Sequence, residues 1–327
     1  MQNRTILALT VSLSLAPSAG AAPGGAGQLA ALAGLRGMPE PPAVVFSAGR
    51  LPAVCAYGAA GALDAEGFAG AVAASDVVYV GESHDQANDH LAQLEALEAL
   101  YAARGGKVAV GFEMLNVTLQ PVLDDYASGA ISEAEFLRRA DWQKEWGFDF
   151  NLYKPLFDFI REKKLAARAL NLPKKIVSHI AMNGLASLPA EEAASLPAGM
   201  QVNTDERYVA YVRSSFEGHM ADMFKFENYL AAMSAWNEAM GANMAAFLNA
   251  NKGYAGLVVA GGGHVIYNAA IPASLKARAP WVRGLSFYLK GAEACPAAAQ
   301  AGDAGLADYV WYVPHSGGAE KGPLLPR

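Results

Sequence analysis

Cysteine is nearly missing from this chain: among 327 residues only Cys55 and Cys295 occur. One disulfide is the most they could form, and an oxidising compartment would let them pair if their Cα atoms come within bridging distance. Neither lies near the N-terminus, so the sequence offers no cysteine for lipid anchoring. A concentrated positive charge is also missing. With 25 basic against 31 acidic residues the net charge is −6, and no Lys/Arg run could track a phosphate backbone, so nucleic acid is not an expected partner. The apolar stretch Ile6 to Leu15 falls short of the about 20 residues that span a bilayer. No internal repeat is visible, and only Gly291 to Ala307 has low complexity, as a linker into a last strand would.

Apolar residues are plentiful at 53%, much of them alanine, enough for a large core rich in helices. The first residues carry an early arginine, a short apolar stretch and the small-residue pattern Ala19-Gly20-Ala21, which together predict a signal peptide over 1–21 and a periplasmic or secreted protein. Residues 22–45 read as a flexible lead-in, 46–314 as an α/β domain and 315–327 as a tail. Short apolar runs, "DVVYV", "KVAVGF", "AARAL", "GLVVA", "VRGLSFYL" and "DYVWYV", predict strands within 76–80, 107–112, 166–170, 256–260, 282–289 and 308–313. Several are apolar without alternation, the mark of strands covered on both faces, and helical stretches separate the first five. The expected fold is α/β, a mostly parallel central sheet flanked by helices, with a long helical insertion over 174–251 between the third and fourth strands.

In such a sheet ligands gather at the carboxyl ends of the strands. Four of the predicted strands end on polar residues that a core does not need: Glu82 and His84 in "GESH", Glu113 in "VGFEM", Asn171 in "ALNLP" and His264 in "GGGH". With 33 glycines and six histidines, chance supplies about 0.6 Gly-x-x-His spacings; two occur, each after a predicted strand. Two histidines with carboxylates suit either of two tasks. His84, Glu113 and His264 could hold a divalent metal that activates water, or a histidine steered by a glutamate could act as a general base without metal. Asp89 is placed to cap the following helix, on which His90 and Gln93 share a face near His84.

The order of "GESHDQANDHLAQL", "VGFEM", "NLYKPLFDFIREKKLAARALNLP", "FEGHMADMFKFENYLAAMSAWNEAMGANMAAFL", "GGGHVIYNAAIPASLKAR" and "ADYVWYVP" resembles the ChaN-like haem-binding family, in the superfamily that includes Tiki, TraB and the erythromycin esterases. The resemblance implies an α/β fold and haem binding or iron uptake at the cell envelope, with haem or another small molecule, a second copy of the chain and envelope haem-uptake components as partners. Its Tiki and TraB side implies instead a hydrolase whose metal-dependent site maps onto His84, Glu113 and His264. Two features depart from the pattern: there is no lipoprotein cysteine, and Asn237 stands in "AWNEAM" where an aspartate is expected. In the insertion, Phe226, Leu230, Met233, Met240, Met244 and Phe247 recur at helical spacing as one apolar face, beside which Tyr211, His219 and Tyr229 stand as candidate haem ligands, with His90 at the strand-end rim. The catalytic candidates are Glu82, His84, Glu113 and His264.

Overall fold

The computed structural model describes residues 54–315. The expected signal peptide and lead-in, and all but the first residue of the expected tail, lie outside the described residues. An eight-stranded sheet forms the centre, with strands β1 (Ala56–Gly58), β2 (Gly61–Leu63), β3 (Val77–Glu82), β4 (Val108–Asn116), β5 (Ala166–Asn171), β6 (Ala255–Gly261), β7 (Gly284–Gly291) and β8 (Tyr309–Val313) in the spatial order β2-β1-β8-β7-β3-β6-β4-β5. From β8 to β5 every neighbouring pair is parallel, and these are the six strands the apolar runs predict. The antiparallel hairpin β1–β2 closes one edge. Its strands, three residues each, are too short to leave a periodic signal.

Strands β3, β4 and β6 are buried along their whole length because both faces of the sheet are covered. On one face Val78, Val80, Val110 and Phe112 pack with the helices Ala87–Arg104 and Phe150–Lys163. On the other, Val77, Tyr79, Ala109 and Val258 pack with the helices Lys174–Asn183, Glu206–His219 and Phe226–Ala250 that lie between β5 and β6. The apolar stripe of the 25-residue helix is core: Phe226, Leu230, Met233, Met240 and Met244 are buried, and Phe247 packs partly buried beside them. At about 25 cal/mol per Å² such burial, not helix propensity, holds the layer in place.

Among the described residues no helix is long and apolar enough to cross a membrane. Cys55, just before β1, and Cys295, after β7, form a disulfide with Cα atoms 5.7 Å apart, which ties the hairpin edge to the loop leading into β8.

Candidate functional site

Side-chain parity decides which layer each rim carboxylate enters. The two-residue period of a strand puts Glu82 on the same face as Val78 and Val80, toward the helices Ala87–Arg104 and Phe150–Lys163. Glu113 follows Phe112 on β4 and therefore faces the opposite layer, toward the long helix. Glu113 does not end its strand as expected. β4 runs on to Asn116 through a register shift between Phe112 and Asn116, an irregularity of the kind that re-aims side chains beside sites.

The first layer holds a closed network around Glu82. Its Oε1 accepts from His84 Nδ1 at 2.8 Å and from the Tyr153 hydroxyl at 2.9 Å, while Oε2 accepts from Gln93 Nε2 at 2.6 Å. Gln93 also donates to the Val80 carbonyl at 3.1 Å, which fixes its amide so that Oε1 faces His90 Nδ1 at 3.1 Å. His90 Nδ1 lies 3.1 Å from Glu82 Oε2 as well, and its Nε2 is 3.2 Å from the His84 carbonyl. Both ring nitrogens of His90 thus meet only acceptors, which requires a proton on each and makes His90 an imidazolium. Burial alone would lower its pKa; the charge of Glu82 and the hydrogen bond to it outweigh burial and push it up to about 9. In return, burial would raise Glu82, but the positive charge of His90 and the hydrogen bonds from His84 and His90 hold it far below the usual carboxylate range. His84 is raised despite its burial by the hydrogen bond to Glu82 and the charge of Glu113.

With Nδ1 committed to Glu82, His84 turns Nε2 toward Gly261 at the end of β6. A Cβ on Gly261 would stand 2.8 Å from His84 Cε1 and 3.1 Å from Nε2, so only glycine lets the ring lie against this strand. The rings of Trp146 and Phe148 pack around His84, with centroids 4.6 and 5.1 Å away.

The second layer is equally buried but less completely hydrogen-bonded. Glu113 Oε2 accepts from Gly261 N at 2.7 Å, and its Oε1 lies 3.2 Å from His264 Nε2. That contact is close enough for charge attraction but off the line of a hydrogen bond, and His264 Nε2 has no hydrogen-bond partner. His264 Nδ1 donates to Asn237 Oδ1 at 2.7 Å, and Asn237 Nδ2 donates to the Tyr208 hydroxyl at 2.6 Å, which orients the amide. Burial would raise Glu113; His264, His84 and the Gly261 N–H hold it lower instead. Between the layers lies a cavity of about 20 Å³ lined by His84, Glu113, Asn171, Trp146 and Trp236 among others. That is room for one water and far too little for a porphyrin. Trp236 Nε1, buried in its wall, has no hydrogen-bond partner.

The structure therefore brings Glu82, His84, Glu113 and His264 together around Gly261, and Asn171 to the same cavity, where its side chain donates to the Glu113 carbonyl at 2.9 Å. Among the described residues no group of three or more His, Cys, Asp or Glu is arranged to hold a metal ion. Of the expected ligand set, His84 is held by Glu82 on one layer, while Glu113 and His264 lie together on the other, held by Gly261 and Asn237. The expected haem ligands do not join the site. Tyr211 and Tyr229 are buried in the helical layer, both nitrogens of His90 are occupied, and His219 ends the helix Glu206–His219 with its side chain outside the described residues. Asp89 does not cap its helix. It is buried in the first turn and accepts from Ser83 N at 2.7 Å.

The sequence reading missed the parts played by Tyr153, Gln93, Asn237 and Tyr208. Two of them carried a signal, Gln93 by its three-residue spacing from His90 and Asn237 by standing where an aspartate is expected. A second feature had no signal at all: after His264 the backbone of Tyr267 and Asn268 enters the left-handed region, with φ of 59° and 56°. This turn lines a groove of about 370 Å³ beside the long helix, together with Asn203, Asp205, Asn237 and Glu238.

The model of the family described as haem-binding uptake, Tiki superfamily, ChaN matches residues 68–275, well over half of the chain. Among solved structures, the chain is similar to ChaN of Campylobacter jejuni, described as binding heme cofacially. The two share 17% identity over 81% of this chain and 98% of that one, with a TM-score of 0.62. At that identity the likeness bears on the fold. An erythromycin esterase variant in its open conformation (13% identity, 68% of this chain and 72% of that one, TM-score 0.42) and a type III effector (13%, 77% and 93%, TM-score 0.43) also align. No curated protein matches the chain.

Proposed function

The chain belongs to the ChaN family of haem-binding uptake proteins in the Tiki superfamily, and from that premise we propose that it binds haem and serves haem or iron handling in the periplasm. The family match is the observation that carries this reading. On it, the partners are haem itself, a second copy of the chain and envelope uptake components. The rim cavity does not fit the group, and the buried tyrosines offer it no oxygen. The groove beside the long helix does have the size range of ligand sites, and Tyr267 stands half-buried on its wall with the Arg207 guanidinium 5.2 Å from its ring centroid. Tyr267 is the residue that would hold haem there, and a ferric porphyrin would supply the Lewis-acidic iron that a phenolate oxygen binds. A haemin titration followed by absorbance tests the proposal. A saturable Soret shift at micromolar haemin, lost in Tyr267→Phe, is expected; a spectrum that remains that of free haemin would sink it.

One observation favours a second reading of the rim, as a hydrolase. His84 Nδ1 is held by an ionised carboxylate while Nε2 remains directed at Gly261 beside a water-sized cavity, which is the arrangement of a general base. Here Glu82 orients the ring and raises its basicity, the neutral form of His84 takes the proton of a water, and Glu113, backed by His264, forms the facing wall. Activity against ester substrates, lost in His84→Ala with an unchanged melting temperature, is the expected result. Retained activity in that variant would end this reading.

A further inference from the structure

Ser83, between Glu82 and His84, is held from an unexpected direction. Its backbone N–H donates to Asp89 Oδ2, and the other oxygen of that buried carboxylate accepts from His315 Nε2 at 2.9 Å. His315 lies 226 residues further along the chain, two residues past β8. Three contacts fix it there. Ala292 N donates to the Val313 carbonyl at 2.8 Å, Asn88 Nδ2 donates to the Pro314 carbonyl at 2.6 Å, and the His315 ring lies on Gly291, where a Cβ would come within 2.5 Å of Nδ1. Gly291 has an ordinary backbone, so the ring is what requires glycine at this position.

We propose that His315 is a positioning residue for His84: through Asp89 it clamps the Ser83 backbone, and so sets the angle at which His84 meets Glu82 and Gly261. The buried Asp89 carboxylate needs donors on both oxygens, and His315 supplies the one that the local loop cannot. With His315 gone, Asp89 is free to leave Ser83, and the two-residue span from Glu82 to His84 loses its fixed point. This inference concerns the rim that the hydrolase reading uses, but its test observes the His84 imidazole itself, so a failed search for turnover leaves it standing.

The experiment is nitrogen-15 NMR of the histidine rings through a pH titration, on the full chain. Replacing His315 by alanine should shift the Nδ1 signal of His84 and lower its titration midpoint by roughly 1 pH unit, the scale of one weakened charge-assisted hydrogen bond. His315→Gln, whose amide can donate to Asp89 from a similar reach, should restore both. Gly291→Ala keeps every hydrogen-bonding side chain and displaces only the ring, so it should reproduce the alanine effect even if His315→Ala fails to fold. A His84 signal and midpoint unchanged in both His315→Ala and Gly291→Ala would overturn the proposal, whatever the melting temperatures do, because it would leave His315 as a strap for the chain end and nothing more. A shift that His315→Gln does not restore would also overturn it.

Discussion

Two Glu–His pairs stand one strand apart and are built for different ends. Around Glu82 and His84 every polar atom of the carboxylate is matched, and a buried imidazolium, His90, balances its charge. Around Glu113 and His264 the histidine is held by a neutral amide, and its Nε2 is left without a hydrogen bond. The first pair spends its interactions on the fold and frees one nitrogen, His84 Nε2. The second keeps His264 Nε2 against a carboxylate without a hydrogen bond. Layer parity produces the difference: the helix Ala87–Arg104 brings His90 and Gln93 to one face, while the long helix brings Asn237 to the other.

The largest effect that would sharpen this contrast is on stability. His90→Gln leaves Glu82 buried without its cation and should cost about 3–5 kcal/mol, whereas His264→Gln weakens the hydrogen bond to Asn237 and the attraction to Glu113, which keeps the Gly261 N–H, and should cost about 1–2 kcal/mol. Urea melts decide it; equal costs would erase the distinction between a fully and a partly hydrogen-bonded pair. A smaller effect appears with pH. The pKa of His90 is raised in the fold to about 9 from an ordinary 6.5, so its contribution to stability is complete below pH 6.5 and is lost as pH climbs through 9. Glu82 and Glu113 are lowered, so theirs is present above about pH 4.5 and fades as pH falls through their folded values. Melting temperature should therefore be highest near pH 5–6.5, and the alkaline decline should be absent in His90→Gln; a decline of the same size in that variant would assign it to another group.

Asn237→Asp would give the second pair a charged partner like that of the first. It should raise the basicity of His264 and change any rim activity about 10- to 100-fold, with little change in melting temperature. An unaltered pH–activity profile would show that the amide's neutrality is without consequence. The smallest expected effect is none: Tyr211→Phe and Tyr229→Phe should leave a haemin titration as it was, because both hydroxyls lie inside the helical layer. A lost Soret shift in either would mean that the layer opens to admit haem.

How much of this was legible follows from which signals are local. The six apolar runs reported the parallel strands, because a strand covered on both faces has to be apolar throughout. Gly-x-x-His reported His84 and His264, because each strand end needs a glycine where another backbone or ring comes close. The partners of those residues had no such signal. Tyr153 and Tyr208 look like core tyrosines at any helix position, and Asp89 looks like a cap. Their meaning depends on which helix lies over which strand, and that is set by packing. The burial of Tyr211 and Tyr229 had no local signal for the same reason: an amphipathic stripe beside tyrosines looks alike whether it lines a pocket or fills a core.

The strand order also bears on when the site can come into being. β6 is inserted between β3 and β4, yet it is synthesised more than 130 residues after the end of β4, once the entire helical layer has emerged. Until then β3 and β4 each present an open edge to the gap, and Glu82 and Glu113 have no Gly261 between them. A nascent chain or a fragment ending before residue 255 holds two half-sites, a β3 open on both edges, a β4 open on one, and no rim. Completion of this protein is the pairing of late strands, β6 and then β7, with β3 and β4 made long before them, and a delay at that step exposes the hydrophobic middle of the sheet to neighbouring chains.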